Sequence, residues 1–411
     1  MSKYFDALET RSSDERKSAL ATRLPQQIAH AKVNTAYFAE SLKNIDAAAI
    51  TSAAVLAGLP VVRKSDLIEL QKTRRPFGGL AASHWGKLGR VFSSPGPIYE
   101  PEGRVADYWR TARALYAAGF RAGDLVHNSF SYHMTPGAWI LEAGAQALGC
   151  TVFPAGVGQT EQQVAAMADL LPNGYVGTPS FLRILLEKAD EMAIKLPSLT
   201  KALVSGEAFL PPVRDALLAR GIAGYQAYAT AELGVIAYET EAREGLVIDE
   251  GVIVEIVRPG TGDPVAVGEV GEVVVTTFNA DYPLIRFGTG DLSAFLPGVS
   301  PCGRTNMRIK GWMGRADQTT KIKGMFVHPE QVAAVVKRHP EIVRARLVVT
   351  NPDSSDLMTL NCEVGAPGGD MGKVIAETVR DVTKLRAEVK LVAVGSLPND
   401  GKVIEDARKY D

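Results

Sequence analysis

Between residues 124 and 230 short apolar runs alternate with longer amphipathic ones. DLVHNSF (124–130), CTVFPAG (150–156), GYVGTPS (174–180), KALVSGE (201–207) and AGYQAYAT (223–230) have strand length, with Gly, Pro and Ser at their ends. The segments between them, 136–148, 161–171, 181–194 and 211–221, repeat apolar residues at helical spacing. The last has Pro near its start and Gly at its end, the usual helix punctuation. This βαβα alternation predicts an α/β core with a largely parallel sheet. Ligands of such sheets sit at the carboxyl ends of strands, so the turns after 153, 204 and 228 are the first places to look for chemistry. Upstream, the pattern predicts helices over 13–45, 65–74 and 104–119, with a Gly-rich stretch from Gly78 to Gly103.

Near residue 245 the rhythm changes. LVIDEGVIVEIVRP, PVAVGEVGEVVVTTF and PLIRFGTGDLSAFLP are β-rich runs cut by Gly and Pro. After GWMGRADQTTKIKG a third region combines helix PEQVAAVVKRHPEI, paired strands RARLVVTN and LMTLNCEV, helix GGDMGKVIAETVRDVTKLRA and a last strand EVKLVAVGSLP. The expected fold class is α/β. A large N-terminal α/β domain with mixed sheets (1–316) contains a small β-rich subdomain (about 245–310), and a small α+β domain (317–411) follows.

Composition removes whole classes of function. With 46% hydrophobic and 22% charged residues the chain is globular rather than disordered or coiled coil. Lys+Arg number 45 and Asp+Glu 46, so no net field favours nucleic acid or an anionic membrane. The 3 cysteines, Cys150, Cys302 and Cys362, suit free thiols in a reducing compartment. The charged N-terminus has no signal-like apolar core, and the apolar stretch 134–150 carries Glu142 and is short for a membrane span. A cytoplasmic location is expected. The 6 histidines show no metal-ligand pairing, and the Gly-x-Ser-x-Gly, Gly-x-Gly-x-x-Gly and Gly-x-x-x-x-Gly-Lys-Ser/Thr signatures are absent.

Five segments stand out: CTVFPAGVGQTEQQV (150–164), AYATAELG (227–234), PLIRFGTGDL (283–292), GRADQTTKIKGMFVHPEQV (314–332) and NDGKVIEDARK (399–409). In this order and spacing they resemble the phenylacetate–coenzyme A ligase family of adenylate-forming enzymes, over nearly the whole chain. Pro154 through Glu161 matches a segment peculiar to that family. The resemblance implies a two-step reaction using ATP, Mg²⁺ and coenzyme A: a carboxylate attacks the α-phosphate of ATP, and the thiol then displaces AMP. It implies an aromatic or arylacetic acid as substrate, a mobile C-terminal domain, and a homodimer whose interface the sequence does not show.

The same resemblance assigns roles position by position. Glu232 would support Mg²⁺, which takes hard oxygen ligands. Tyr228 would stack near adenine, and Ser205, Gly206 and Glu207 would flank it. Asp291 would accept the ribose hydroxyls, with Arg315 on ribose or phosphate. Asp317 would be the hinge and Lys402 the catalytic cation of adenylation. Tyr132, His133, Gly137, Trp139 and Phe153 would line the acyl pocket, although ordinary packing explains each as well.

Three phosphate-side positions depart from the family pattern. The loop that normally reads Ser-Ser-Gly-Thr-Thr-Gly-Lys-Pro is Ser93-Ser94-Pro95-Gly96-Pro97-Ile98-Tyr99-Glu100 here. Its threonines and lysine are missing, and its prolines donate no N–H. A Glu100 charge ~4 Å from phosphate would cost about 4 kcal/mol at an effective dielectric of ~20, so Glu100 must turn away or meet Mg²⁺ or another cation. Ala231 replaces a hydroxyl residue, and Gly288 stands where Arg is common. Two other readings therefore stay open: adenylation with another acceptor, and a nucleotide-binding homologue without ATP chemistry.

Overall fold

The computed structural model describes residues 2–94, 97–316, 320–322, 325–351 and 356–408. It divides into two compact units. The first comprises Met1–Val254, Val275–Thr289 and Leu296–Trp312, and the second Glu255–Val274, Gly290–Phe295 and Met313–Asp411.

In the first unit, strand Leu125–Asn128 pairs in parallel with both Thr151–Pro154 and Gly174–Gly177. Lys201–Val204 and Ala223–Thr230 extend the parallel sheet. Ala223–Thr230 then turns back on Gly234–Glu239, and antiparallel neighbours follow in a nine-stranded mixed sheet. The five strands expected between 124 and 230 are all present. The chain leaves Leu125–Asn128 toward one side and returns to pair on the other. In sheets of this kind such a reversal marks the carboxyl ends of the strands as the place where ligands bind.

Helices Thr111–Ala117 and Gly137–Ala147 cover this sheet around a core that includes Trp109, Leu115, Phe120, Val126 and Leu141. They touch where Gly144 passes Thr111. A methyl group at Gly144 would lie 2.4 Å from Thr111 Cβ and 2.7 Å from the Ala112 backbone nitrogen. Gly144→Ala gains about 1 kcal/mol of helix propensity, but a backbone atom cannot step aside, and overpacking costs about 1–3 kcal/mol. The expected result is a net lower melting temperature. An unchanged or higher one would contradict the packing.

Three expectations are revised by local geometry. The helix over 13–45 is two helices, Ser13–Asn34 and Ala36–Ser41, because Thr35 is extended and caps the second through its side chain. The helix over 104–119 shrinks to Thr111–Ala117. Asp107 and Arg110 have left-handed φ of 50° and 61°, and the Asp107 carboxylate accepts from the Thr111 nitrogen at 2.7 Å, so the chain can enter the helix only after them. The Gly-rich stretch contains an antiparallel hairpin, Arg90–Ser94 with Ile98–Glu102.

The second unit contains a four-stranded sheet in the order Glu388–Val392, Leu357–Val364, Ile342–Thr350, Ile404–Asp406. Helices Pro329–Arg338 and Met371–Thr383 contribute Val332, Val335, Ile375 and Val379 to its core. The two long strands form the expected antiparallel pair. The run EVKLVAVGSLP is a strand only as far as Val392. The C-terminal Ile404–Asp406 was not anticipated as a strand; it lies parallel to Ile342–Thr350 with Ile404 opposite Leu347. No described helix is long and apolar enough to cross a membrane.

Candidate functional site

The crevice at the strand ends is built by close approach. A side chain at Gly177 would lie 2.1 Å from the Tyr175 hydroxyl and 2.2 Å from Ser129 Oγ, so only glycine fits there. Ser205, the residue after strand Lys201–Val204, donates its hydroxyl to the Ala227 carbonyl at 2.8 Å and its backbone N–H to Gly177 at 3.2 Å. Gly206 follows with φ +84°, and a side chain there would reach the Phe130 ring at 3.4 Å. Glu207 points elsewhere. It is exposed and accepts from the Ser180 backbone N–H at 2.6 Å, at the start of helix Pro179–Glu191.

The acyl-pocket residues separate into groups. A side chain at Gly137 would meet Phe130 at 3.5 Å, so Phe130, not singled out from the sequence, joins Gly137 to Gly206. The Tyr132 hydroxyl donates to Glu142 at 2.6 Å and accepts from Asn128 at 3.0 Å, while its ring stands edge-on to Trp139. Burial, and then Glu142, hold the Tyr132 phenol protonated. His133 is exposed. Phe153 packs against His127, which in turn stacks on Tyr175, so it belongs to a row of rings across the sheet. Gln163 was also not singled out. Its Oε1 accepts from His127 Nε2 at 2.8 Å, and its Nε2 donates to the Gly156 and Gly158 carbonyls at 2.9 and 2.7 Å. That explains how the loop from Pro154 to Glu161 is held, since Gly156, Gly158 and Gln159 all take left-handed φ.

Tyr228 is buried at the end of its strand, and its hydroxyl donates to Thr289 Oγ1 at 3.2 Å. Four residues on, the Glu232 side chain is fully buried. Lys64 Nζ lies 2.8 Å from one of its carboxylate oxygens, and among the described residues neither oxygen has a hydrogen bond of normal geometry. Glu100 turns into the protein interior. Strand alternation puts it on the inward face with Ile98 while Tyr99 faces out. It is 0% exposed, and among the described residues neither carboxylate oxygen has a hydrogen bond of normal geometry, Ser94 giving only a weak one. The Tyr282 hydroxyl is buried without a partner too. Burial first, and then the charges of Glu232 and Glu100, push its acidity far down. Lys64 and Tyr282 carried no sequence signal, because each lies in a short segment outside the recognisable motifs. Buried carboxylate oxygens without donors fit a hard divalent cation, which takes oxygen ligands.

Glu100 makes the ligand-free protein pH-sensitive. Burial, and next the Glu232 charge, push its carboxyl up to about 8, while Ser94 and Lys64 pull more weakly the other way. The folded chain thus keeps a proton up to about pH 8 that the unfolded chain releases near 4.5. More protons are bound in the folded state across that window, so stability falls as pH rises through it. The loss is on the order of a few kcal/mol. Glu100→Gln removes this contribution: its melting temperature is expected to exceed the wild type's at pH 8.5 and to converge with it near pH 5. Parallel profiles would show that Glu100 does not titrate this way.

In the second unit, Arg315 donates to Asp291 at 3.0 Å, and the two residues form a β-bridge. Asp291 is mostly buried while the Arg315 side chain is 46% exposed. Asp317 lies outside the described residues. Lys402 is exposed, and its ammonium makes no ion pair among the described residues. It lines a cavity of about 640 Å³ with Arg258, Lys337 and Arg344. Arg286, upstream of Gly288, does not supply the missing arginine: it is buried and donates to the Ala57 carbonyl at 2.7 Å and to that of Leu59.

Comparison with known proteins identifies the family. A family model described as AMP-binding enzyme matches residues 106–279. The chain is 31% identical over 387 residues to the phenylacetate-coenzyme A ligase of Aromatoleum evansii, covering 90% of this chain and 86% of that one. It is 30% identical over 384 residues to the phenylacetate-coenzyme A ligase of Thermus thermophilus, covering 89% and 85%. A crystal structure of 2-hydroxyisobutyryl-CoA ligase in the postadenylation state matches with a TM-score of 0.73 at 27% identity, over 98% of this chain and 92% of that one. An open conformation of the same ligase, with 2-HIB-AMP and CoA, matches with a TM-score of 0.73 at 28% identity, over 97% and 92%. With this fold, these relatives and an enzyme chemistry that uses ATP, Mg²⁺ and coenzyme A, the chain belongs to the phenylacetate-coenzyme A ligase family of AMP-forming, adenylate-forming ligases.

Proposed function

We propose that the protein joins an aromatic or arylacetic acid to coenzyme A through an acyl-adenylate. The observation that carries this reading is Glu232, wholly buried, whose carboxylate has the Lys64 ammonium at 2.8 Å and no hydrogen bond of normal geometry among the described residues. The names of the relatives point to an arylacetic acid. Phe130 between Gly137 and Gly206, with Tyr132 and Trp139 nearby in sequence, offers aromatic surface for one.

In this reading Glu232 holds Mg²⁺, which when bound neutralises phosphate charge as the acid attacks the α-phosphate. Tyr228 stacks on adenine, and Ser205 and Gly206 pass it with backbone. Glu207 acts at one remove, by fixing the helix start at Ser180. Asp291 accepts both ribose hydroxyls and is oriented by Arg315. Lys402 bridges the α-phosphate and the carboxylate, and Asp317 is the hinge about which its domain turns between half-reactions. Tyr132 and Gly137 shape the acyl pocket, His133 lies toward its exposed side, and Phe153 buttresses its floor through His127. A cytoplasmic homodimer is part of the reading, and light scattering would test the dimer.

The test is pyrophosphate release from Mg-ATP with a panel of aromatic, arylacetic and short hydroxy acids, with and without coenzyme A. Release with arylacetic acids and turnover only with coenzyme A are expected. Release with a short hydroxy acid alone would overturn the substrate class. Sustained turnover without coenzyme A would overturn the acceptor.

A further inference from the structure

The loop lysine and hydroxyls of the family pattern are missing, yet the same hairpin delivers a carboxylate to the protein interior. Strand pairing fixes this placement. Glu100 lies opposite the buried Phe92 in the register of Arg90–Ser94 with Ile98–Glu102. Gln71 clamps the neighbouring Tyr99 backbone with two hydrogen bonds of 2.8 Å, so the strand cannot rotate to release Glu100.

Four polar groups act on one another there, two of them, Lys64 and Glu232, in contact. Glu100 and Glu232 are buried with none of their four carboxylate oxygens in a hydrogen bond of normal geometry among the described residues. The Tyr282 hydroxyl, buried and without a partner, feels both carboxylates. Lys64 Nζ reaches Glu232 at 2.8 Å with its side chain 28% exposed. Buried carboxylates without donors are costly, and a structure retains them where a charge partner arrives. In the ligand-free protein Glu100 keeps its proton below about pH 8, so the Lys64 ammonium balances Glu232 alone. A divalent cation that displaces the Glu100 proton neutralises both carboxylates and leaves the Lys64 ammonium in excess, so the cluster attracts a polyphosphate.

We infer that Glu100 and Glu232 together form the divalent-cation site of this chain, and that the Lys64 ammonium stands in for the metal when none is bound. The inference rests on the reading of Glu232 as a magnesium ligand and adds Glu100 to it. Mg²⁺ sites of this kind use one or two carboxylates and fill the remaining positions with water and substrate phosphates, so two glutamates are enough protein ligands. The carboxylate recovers, through the metal, positive charge that the family pattern takes from a lysine.

The experiment is a titration of the full chain with Mn²⁺ alone, without nucleotide, following free Mn²⁺ by electron paramagnetic resonance. One site is expected in the wild type. Glu100→Gln is expected to weaken it about tenfold or more, since losing a ligand costs at least as much as losing a group that only supports one. Glu232→Gln is expected to abolish it, and Lys64→Met to tighten it severalfold by removing the competing cation. Wild-type affinity in Glu100→Gln, together with loss in Glu232→Gln, would overturn the role of Glu100 and leave the Glu232 reading standing. Retained affinity in Glu232→Gln would overturn that reading itself, and no binding by the wild type at millimolar Mn²⁺ would overturn the two-carboxylate site. Thermal melts identify any variant that does not fold. If Glu100→Gln is such a variant, Lys64→Met decides: tighter binding supports the site, and unchanged or weaker binding overturns it.

Discussion

Lys402→Ala is expected to slow pyrophosphate release about 10²–10³-fold, the usual consequence of removing one group aimed at developing phosphate charge. The backbone around Lys402 is fixed independently of its side chain. Arg346 donates to the Lys402 carbonyl at 3.1 Å and to Glu405 at 3.0 Å, and it also pairs with Asp400. The preceding Gly401 takes φ +72°, and a side chain there would strike Val270 at 2.7 Å. The substitution therefore removes a free ammonium from a loop that stays in place. Stability is expected to move by no more than about 0.5 kcal/mol, as at other exposed sites. Thioester formation from synthetic acyl-adenylate should be spared, because no phosphate charge is then being built by the acid. Pyrophosphate release at the wild-type rate would remove Lys402 from the mechanism, whereas equal loss of both half-reactions would point to a structural role.

Arg304→Ala is expected to cost about 3–5 kcal/mol, through the uncompensated charge left behind in the first unit. Arg304 and Glu9 are 1% and 0% exposed at their side chains, with Nε 2.5 Å from Oε1. The same oxygen accepts from the Tyr238 hydroxyl at 2.8 Å, and Oε2 accepts from the Phe5 backbone N–H. Glu9 thereby ties the N-terminal segment to strand Gly234–Glu239 and to Arg304. The pair holds the Arg304 guanidinium charged despite its burial. Without Arg304 the carboxylate keeps two donors but no cation. Urea denaturation should show the lower midpoint, and adding Glu9→Gln to Arg304→Ala should recover part of the loss. A single-variant loss below about 1 kcal/mol would mean that water replaces the arginine.

The strands between 124 and 230 were legible because each run has strand length and ends at turn residues, and because a sheet covered on both faces needs continuous apolar runs. The hairpin Arg90–Ser94 with Ile98–Glu102 was hidden by its prolines and acids, which read as loop. Strand Ile404–Asp406 was hidden by its length, since three residues give no period and its stability comes from Leu347 and its neighbours. Glu232, Tyr228 and Ser205 could be found because they sit in turns after recognisable strands. Lys64, Phe130, Gln163 and Tyr282 could not, because each acts through a neighbour distant in sequence, His127 in the case of Gln163.

By itself the sequence determined the α/β class, the order of elements, the family, and the residue types offered to nucleotide and metal. These follow from local periodicity and from motifs a few residues long. The fate of Glu100 was decided only by tertiary structure. Its side-chain direction depends on hairpin register, and its protonation depends on burial and on Glu232, 132 positions away along the chain. The cost of a charge is set by its surroundings in three dimensions, and a linear pattern does not contain them.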